Sequence, residues 1–135
     1  MYKNLQDVFD TAVVGLASQG FQRSVGEYDR DCFYRGTYNR RCAIGWLIPD
    51  EVYTESMENS RVSELMKLYP DSGIKELFDF SQVSYNQLNS LQRTHDGAWG
   101  PKSVMDNLRE FAQEYDLVLP DSLKEVTSSA TPMEP

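Results

Sequence analysis

Cys42, His95 and Asp96 are the residues of this 135-residue chain whose types come closest to a reactive centre. A cysteine opening a helix gains thiolate character from the helix dipole and, here, from the adjacent Arg41. An imidazole within reach would serve as its base, and a carboxylate could orient the ring. Asp96 directly follows His95, and neighbours in a helix point about 100° apart, so the spacing predicts that Asp96 orients the ring poorly. The opposing reading is structural. Cysteine is among the most buried residue types, and His95 shares a helical face with Leu88 and Leu91. Cys32, Cys42, His95 and Asp96 could also form a tetrahedral zinc site, but Cys-x9-Cys lacks the close ligand spacing of structural zinc, and neither a metal nor a cofactor is expected.

A second set is cationic. Arg30, Arg35, Arg40 and Arg41 alternate with Phe33, Tyr34 and Tyr38, a mixture suited to an anionic ligand through charge and stacking; Arg35, Arg40, Arg41 and Tyr38 are the candidate ligand-binding residues. The competing reading is an internal ion-pair network. Residues 21–45 carry five arginines against three acids, whereas residues 46–135 carry seven basic and sixteen acidic side chains, and the chain totals −8. That balance supplies carboxylates to pair with the arginines and disfavours direct nucleic-acid binding. Asp50, Glu51, Glu55 and Glu58 are the candidate partner-contact residues, in a stretch that also holds Glu64, and Glu110, Glu114, Asp116 and Asp121 form a second acidic stretch. Lysine and arginine interrupt both rows, which weakens a resemblance to a DNA phosphate track. Trp99, beside Gly100 and Pro101, reads as an anchor at a helix junction.

The elements that must position these residues are mainly helical: a single domain of about five or six helices with one small β-hairpin over about residues 32–42. Asn4 caps a first helix with Leu5, Val8, Phe9, Ala12, Val13 and Leu16 on one face, and Gly20 ends it. The hairpin turns around residues 36–39 and sets Cys32 opposite Cys42. The apolar block at residues 41–53 follows, with Ile44, Leu47 and Ile48 at helical spacing until Pro49. Further helices begin at Ser60, near Ile74, at Ser84 and at Pro101, the last burying Val104, Leu108, Phe111, Ala112 and Tyr115. Residues 117–119 form a short strand or a docked extension. The globular domain spans 1–120, and the Ser-, Thr- and Pro-rich residues 121–135 read as a disordered tail. No apolar run reaches the roughly 20 residues of a membrane helix, and no signal region opens the chain, so a cytoplasmic location and no membrane partner are expected.

The block Arg41-Cys-Ala-Ile-Gly-Trp-Leu-Ile-Pro-Asp-Glu-Val-Tyr53 and the segment Leu91-Gln-Arg-Thr-His-Asp96, with Trp99 and the helix from Pro101, carry a resemblance that covers residues 5–119. The chain resembles small uncharacterised proteins of bacteria and their phages that share a Cys-Ala-(Ile/Val)-Gly-x-Leu core and a later Leu-Gln-x-x-His-Asp segment. The resemblance draws attention to Cys42, Gly45, His95 and Asp96 without assigning them roles. Together with the acidic balance, it implies a non-enzymatic binding or regulatory protein, phage-encoded, meeting a host or phage protein in the host cytoplasm, with a host nucleic-acid enzyme or defence system as target. The alternative is a small cysteine-dependent hydrolase or transferase using Cys42 and His95.

Overall fold

The computed structural model describes residues 2–25, 33–58 and 60–124, the side chain of Ser63 excepted. Among them are four α-helices, α1 (Leu5–Ser18), α2 (Val62–Leu68), α3 (Tyr85–Asp96) and α4 (Pro101–Glu114), joined by single 3-10 turns. The chain is therefore mainly helical. The expected count of five or six helices is corrected to four, because Gly45–Leu47 and Lys75–Leu77 close one 3-10 turn each. Pro49 stops the first of these: Ile48, before it, is extended at φ −96° and ψ 114°.

Local chemistry explains the helix ends. The Asn4 side chain accepts the Asp7 N–H at 2.9 Å, and Ser84 and Gln87 form a capping box at the start of α3. α1 closes with Phe21 N–H donating to Leu16 O and Gly20 N–H to Ala17 O, Gly20 standing at φ 66°. α4 closes in the same way, Leu117 N–H reaching Ala112 O, but with Asp116 in the left-handed position at φ 55°.

One cluster of buried side chains joins all four helices to the block at 41–53. Cys42, Ala43, Ile44, Leu47 and Ile48 are sealed in it with Phe9, Leu16, Leu65, Leu91 and Leu108. Close approach of α1 to this block needs a glycine: a Cβ on Gly15 would lie 2.3 Å from the Trp46 ring. Gly45 is tighter still, its Cβ falling 2.0 Å from the Tyr34 carbonyl oxygen.

The expected hairpin shrinks to one antiparallel bridge, Arg35 to Arg41, behind a turn in which Tyr38 and Asn39 both hold positive φ and Arg40 N–H donates to Thr37 O. Gly36 N–H donates across the turn to Arg40 O, but the other amides of this strand bond elsewhere: Phe33 N–H to Ser24 O, Thr37 N–H to Val25 O, and those of Tyr34 and Arg35 to Glu58. Cys32 and Arg30 lie outside the described residues, as does the expected pairing of Cys32 with Cys42. Residues 117–119 are docked rather than sheeted, since the Gln6 carboxamide takes both the N–H and the C=O of Val118. Just past residue 120, Leu123 is fully buried, and its carbonyl accepts Arg109 Nε–H at 2.8 Å. No helix among the described residues is long and apolar enough to cross a membrane.

Candidate binding surface

Cys42 and His95 are both fully buried. The Cys42 sulfur accepts the Gly45 N–H at 3.3 Å, and burial pushes its thiol far above the ordinary range, with the Asp96 charge adding to the rise. That is the reverse of an activated nucleophile. The His95 ring is equally committed. Ser24 N–H donates to Nε2 at 2.8 Å, so Nε2 is an acceptor and the proton sits on Nδ1, which meets Asp96 Oδ1 at 2.9 Å. Neither ring nitrogen is left to receive a thiol proton. Asp96 orients the ring after all, contrary to the expectation from helical spacing. It stands in the last turn of α3, and the Gln92 amide one turn back holds both its oxygens, at 3.1 and 3.2 Å.

This geometry gives His95 a positioning role. Ala98 N–H bonds the His95 carbonyl, the ring receives the Ser24 amide, and Ser24 Oγ–H donates to Arg40 O. One chain of bonds therefore runs from the Trp99 turn to the Tyr38 turn. Gly36 completes the fit, since a Cβ there would meet Val25 O at 2.5 Å.

Two of the arginines, Arg35 and Arg41, share one carboxylate. Arg35 and Arg41 face each other across the bridge, a like-charge pairing, and Asp50 Oδ1 lies 2.7 Å from Arg35 Nη2 and 3.3 Å from Arg41 Nη2. Arg35 also donates to Ile48 O and covers the Tyr53 ring at 4.3 Å, while Arg41 covers Trp46 at 4.8 Å. Arg40 lies 5.2 Å from the centroid of Tyr38, which is exposed. Of the four candidate ligand residues, Arg40 and Tyr38 remain at the surface as a pair, whereas Arg35 and Arg41 are spent internally.

The four candidate partner carboxylates divide in the same way. Glu51 and Glu55 are exposed, Asp50 is exposed but bridges two arginines, and Glu58 is turned inward. Glu58 accepts the amides of Tyr34 and Arg35 and the Tyr53 hydroxyl, the last at 2.6 Å. That bond, after burial, raises the Tyr53 pKa. Among the described residues no group of three or more His, Cys, Asp or Glu side chains gathers where a metal could sit.

One feature departs from the sequence expectation, and one has no counterpart in it. Trp99 is 85% exposed, so it does not anchor the junction; Ala98, buried at 4%, fills that position instead. A groove of about 460 Å³ opens along the start of α2 and the outer side of α3, lined by Tyr34, Ser60, Arg61, Val62, Asn89 and Arg93 and equally by Gln92 and Asp96. In sequence, Arg61 and Arg93 stand apart from the arginine-dense stretch and carry no local signature. Their signal is tertiary: they meet where α2 packs on α3. Comparison of the chain with protein-family models, curated proteins and solved structures returns no match.

Proposed function

We propose that this is a non-enzymatic binding and regulatory protein that acts by contact with another protein, through the two turns carrying Tyr38 and Trp99. The observation that carries this reading is an inversion of the usual placement. The cysteine and histidine that could do chemistry are sealed and hydrogen-bonded, while two large aromatic side chains, 83% and 85% exposed, stand in solvent on turns tied together through His95. Exposed tryptophan and tyrosine are the residue types that dominate the energy of protein interfaces. The proposed target is a host nucleic-acid enzyme or defence protein. Such enzymes present basic surfaces, which the exposed Glu51 and Glu55 of a chain with net charge −8 would complement.

The test is a comparative capture from host lysate with wild-type protein, a Tyr38→Ser/Trp99→Ser variant and a Glu51→Lys/Glu55→Lys variant. The expected result is a discrete partner that is lost with the aromatic variant and weakened with the charge variant. Recovery of nothing above background, or equal recovery by all three proteins, would overturn the reading.

A further inference from the structure

The groove between α2 and α3 differs chemically from the two aromatic turns. Several of its polar groups are already committed: the Tyr34 hydroxyl donates to the Ser60 carbonyl, Gln92 accepts the Ile44 amide and donates to Asp96, and Asp96 receives His95 as well. The Glu64 carboxylate is turned to the Arg61 N–H at the start of α2. What stays available is donor-rich. Among the described residues the Arg61 guanidinium and the Asn89 carboxamide have no hydrogen-bond or ion-pair partner, and Arg93 makes a 3.3 Å bond to Ser90. Two guanidinium groups from different elements thus converge with an amide on one concavity, against a single acid that is already bonded. In a chain with net charge −8, two arginines thus line one groove with a single lining carboxylate, Asp96.

Guanidinium forks match carboxylate and phosphate oxygens in pairs. The groove, at about 460 Å³, falls in the range of small-molecule sites, and Tyr34 and Val62 give it an apolar wall. We propose that this groove binds a small organic anion, no larger than about a mononucleotide, with a phosphate or carboxylate head held by Arg61 and Arg93 and a body lying along Tyr34 and Val62. The proposal goes beyond the protein-contact reading and does not depend on it.

The full chain is titrated at low salt with AMP, succinate, inorganic phosphate and adenosine, and backbone amide shifts are followed by NMR. AMP or succinate is expected to shift residues 60–62 and 89–93 saturably, and the tighter of the two identifies the head group. Adenosine and inorganic phosphate are each expected to bind at least about tenfold more weakly than the better organic anion. Arg61→Gln and Arg93→Gln should each weaken that anion about tenfold, while Lys102→Gln on α4 leaves it unchanged. Arg61 and Arg93 are exposed, so both variants should fold, which an unchanged thermal midpoint checks. Three results would overturn the proposal: no saturable binding of either organic anion up to about 10 mM, equal binding by the Arg61→Gln/Arg93→Gln protein, or adenosine or phosphate binding as tightly as the organic anion.

Discussion

In α1, α3 and α4 the backbone satisfies itself, and the side chains supply burial: Val8, Phe9, Leu88, Leu91, Val104 and Leu108 all leave solvent almost completely. The segment from Gln19 to Glu58 works the other way. Over its described residues, 19–25 and 33–58, backbone-to-backbone bonds are few, and several backbone groups are held by side chains instead. Gln19 pairs with both the N–H and the C=O of Arg41, Glu58 accepts the amides of Tyr34 and Arg35, Gln92 accepts that of Ile44, and His95 accepts that of Ser24. Buried backbone groups must find partners, and here they find them singly. A helix loses a little when one residue changes, whereas a segment pinned at four points loses a whole connection.

The largest effect is expected where this segment packs most tightly. Gly45→Ala places a methyl against the Tyr34 carbonyl, a contact that only backbone movement relieves, and should cost about 3–5 kcal/mol in urea unfolding. Gly100→Ala, with open space around its Cβ position, should stay within about 1 kcal/mol. Equal costs for the two would break the contrast between pinned segment and helical frame.

His95→Leu keeps an apolar side chain but strands the buried Ser24 N–H, for an expected loss of about 2–3 kcal/mol. Asp96→Asn retains an oxygen for Nδ1–H and should lose less than about 1 kcal/mol. A near-neutral His95→Leu would show that the Ser24 contact does not hold the segment.

Alkaline pH should weaken the same region. Burial raises the pKa values of Tyr34, Tyr53 and Cys42 above their ordinary values of 10, 10 and 9. Above those ordinary values the unfolded chain releases protons that the folded chain keeps. Stability is therefore full below about pH 9 and falls as pH rises beyond it. Unfolding midpoints at about pH 8 and pH 10.5 should show the loss, and Tyr53→Phe should reduce it. A midpoint that rises over this interval would refute the assignment.

The smallest effect, and the one of opposite sign, belongs to the helical frame. Asp116→Gly relieves a non-glycine residue at φ 55° in the closing motif of α4 and should add about 0.5–1 kcal/mol.

The same division explains what could be read from sequence. α1, α3 and α4 were legible because apolar spacing and capping residues are local: Asn4, Ser84, Gln87 and Pro101 sit where the helices begin. The pinning contacts have no local pattern. Gln6 reaches Val118 across 112 positions and Ser24 reaches His95 across 71, and a glutamine or histidine announces nothing about a distant amide. Glu58 looked like one acid among several, and only its position under Tyr34 and Arg35 separates it from exposed Glu55. The Asp96 orientation has a related cause: angular spacing along a helix takes no account of the Gln92 amide that holds the carboxylate. Cys42, His95 and the arginines at 35, 40 and 41 stand out in sequence by residue type, whereas Arg61 and Arg93 do not, and the burial and pairing that decide their chemistry arise from packing.

The placement of the two tryptophans also makes the protein its own optical gauge. Trp46 donates its indole N–H to Gln19 and lies under Arg41 at the seam between α1 and the pinned segment, whereas Trp99 stands free of the core. Iodide should quench the emission of Trp99 and spare that of Trp46. A binding event at the Trp99 turn and a loosening of the Gly15 seam would then register as separate changes in a single fluorescence spectrum.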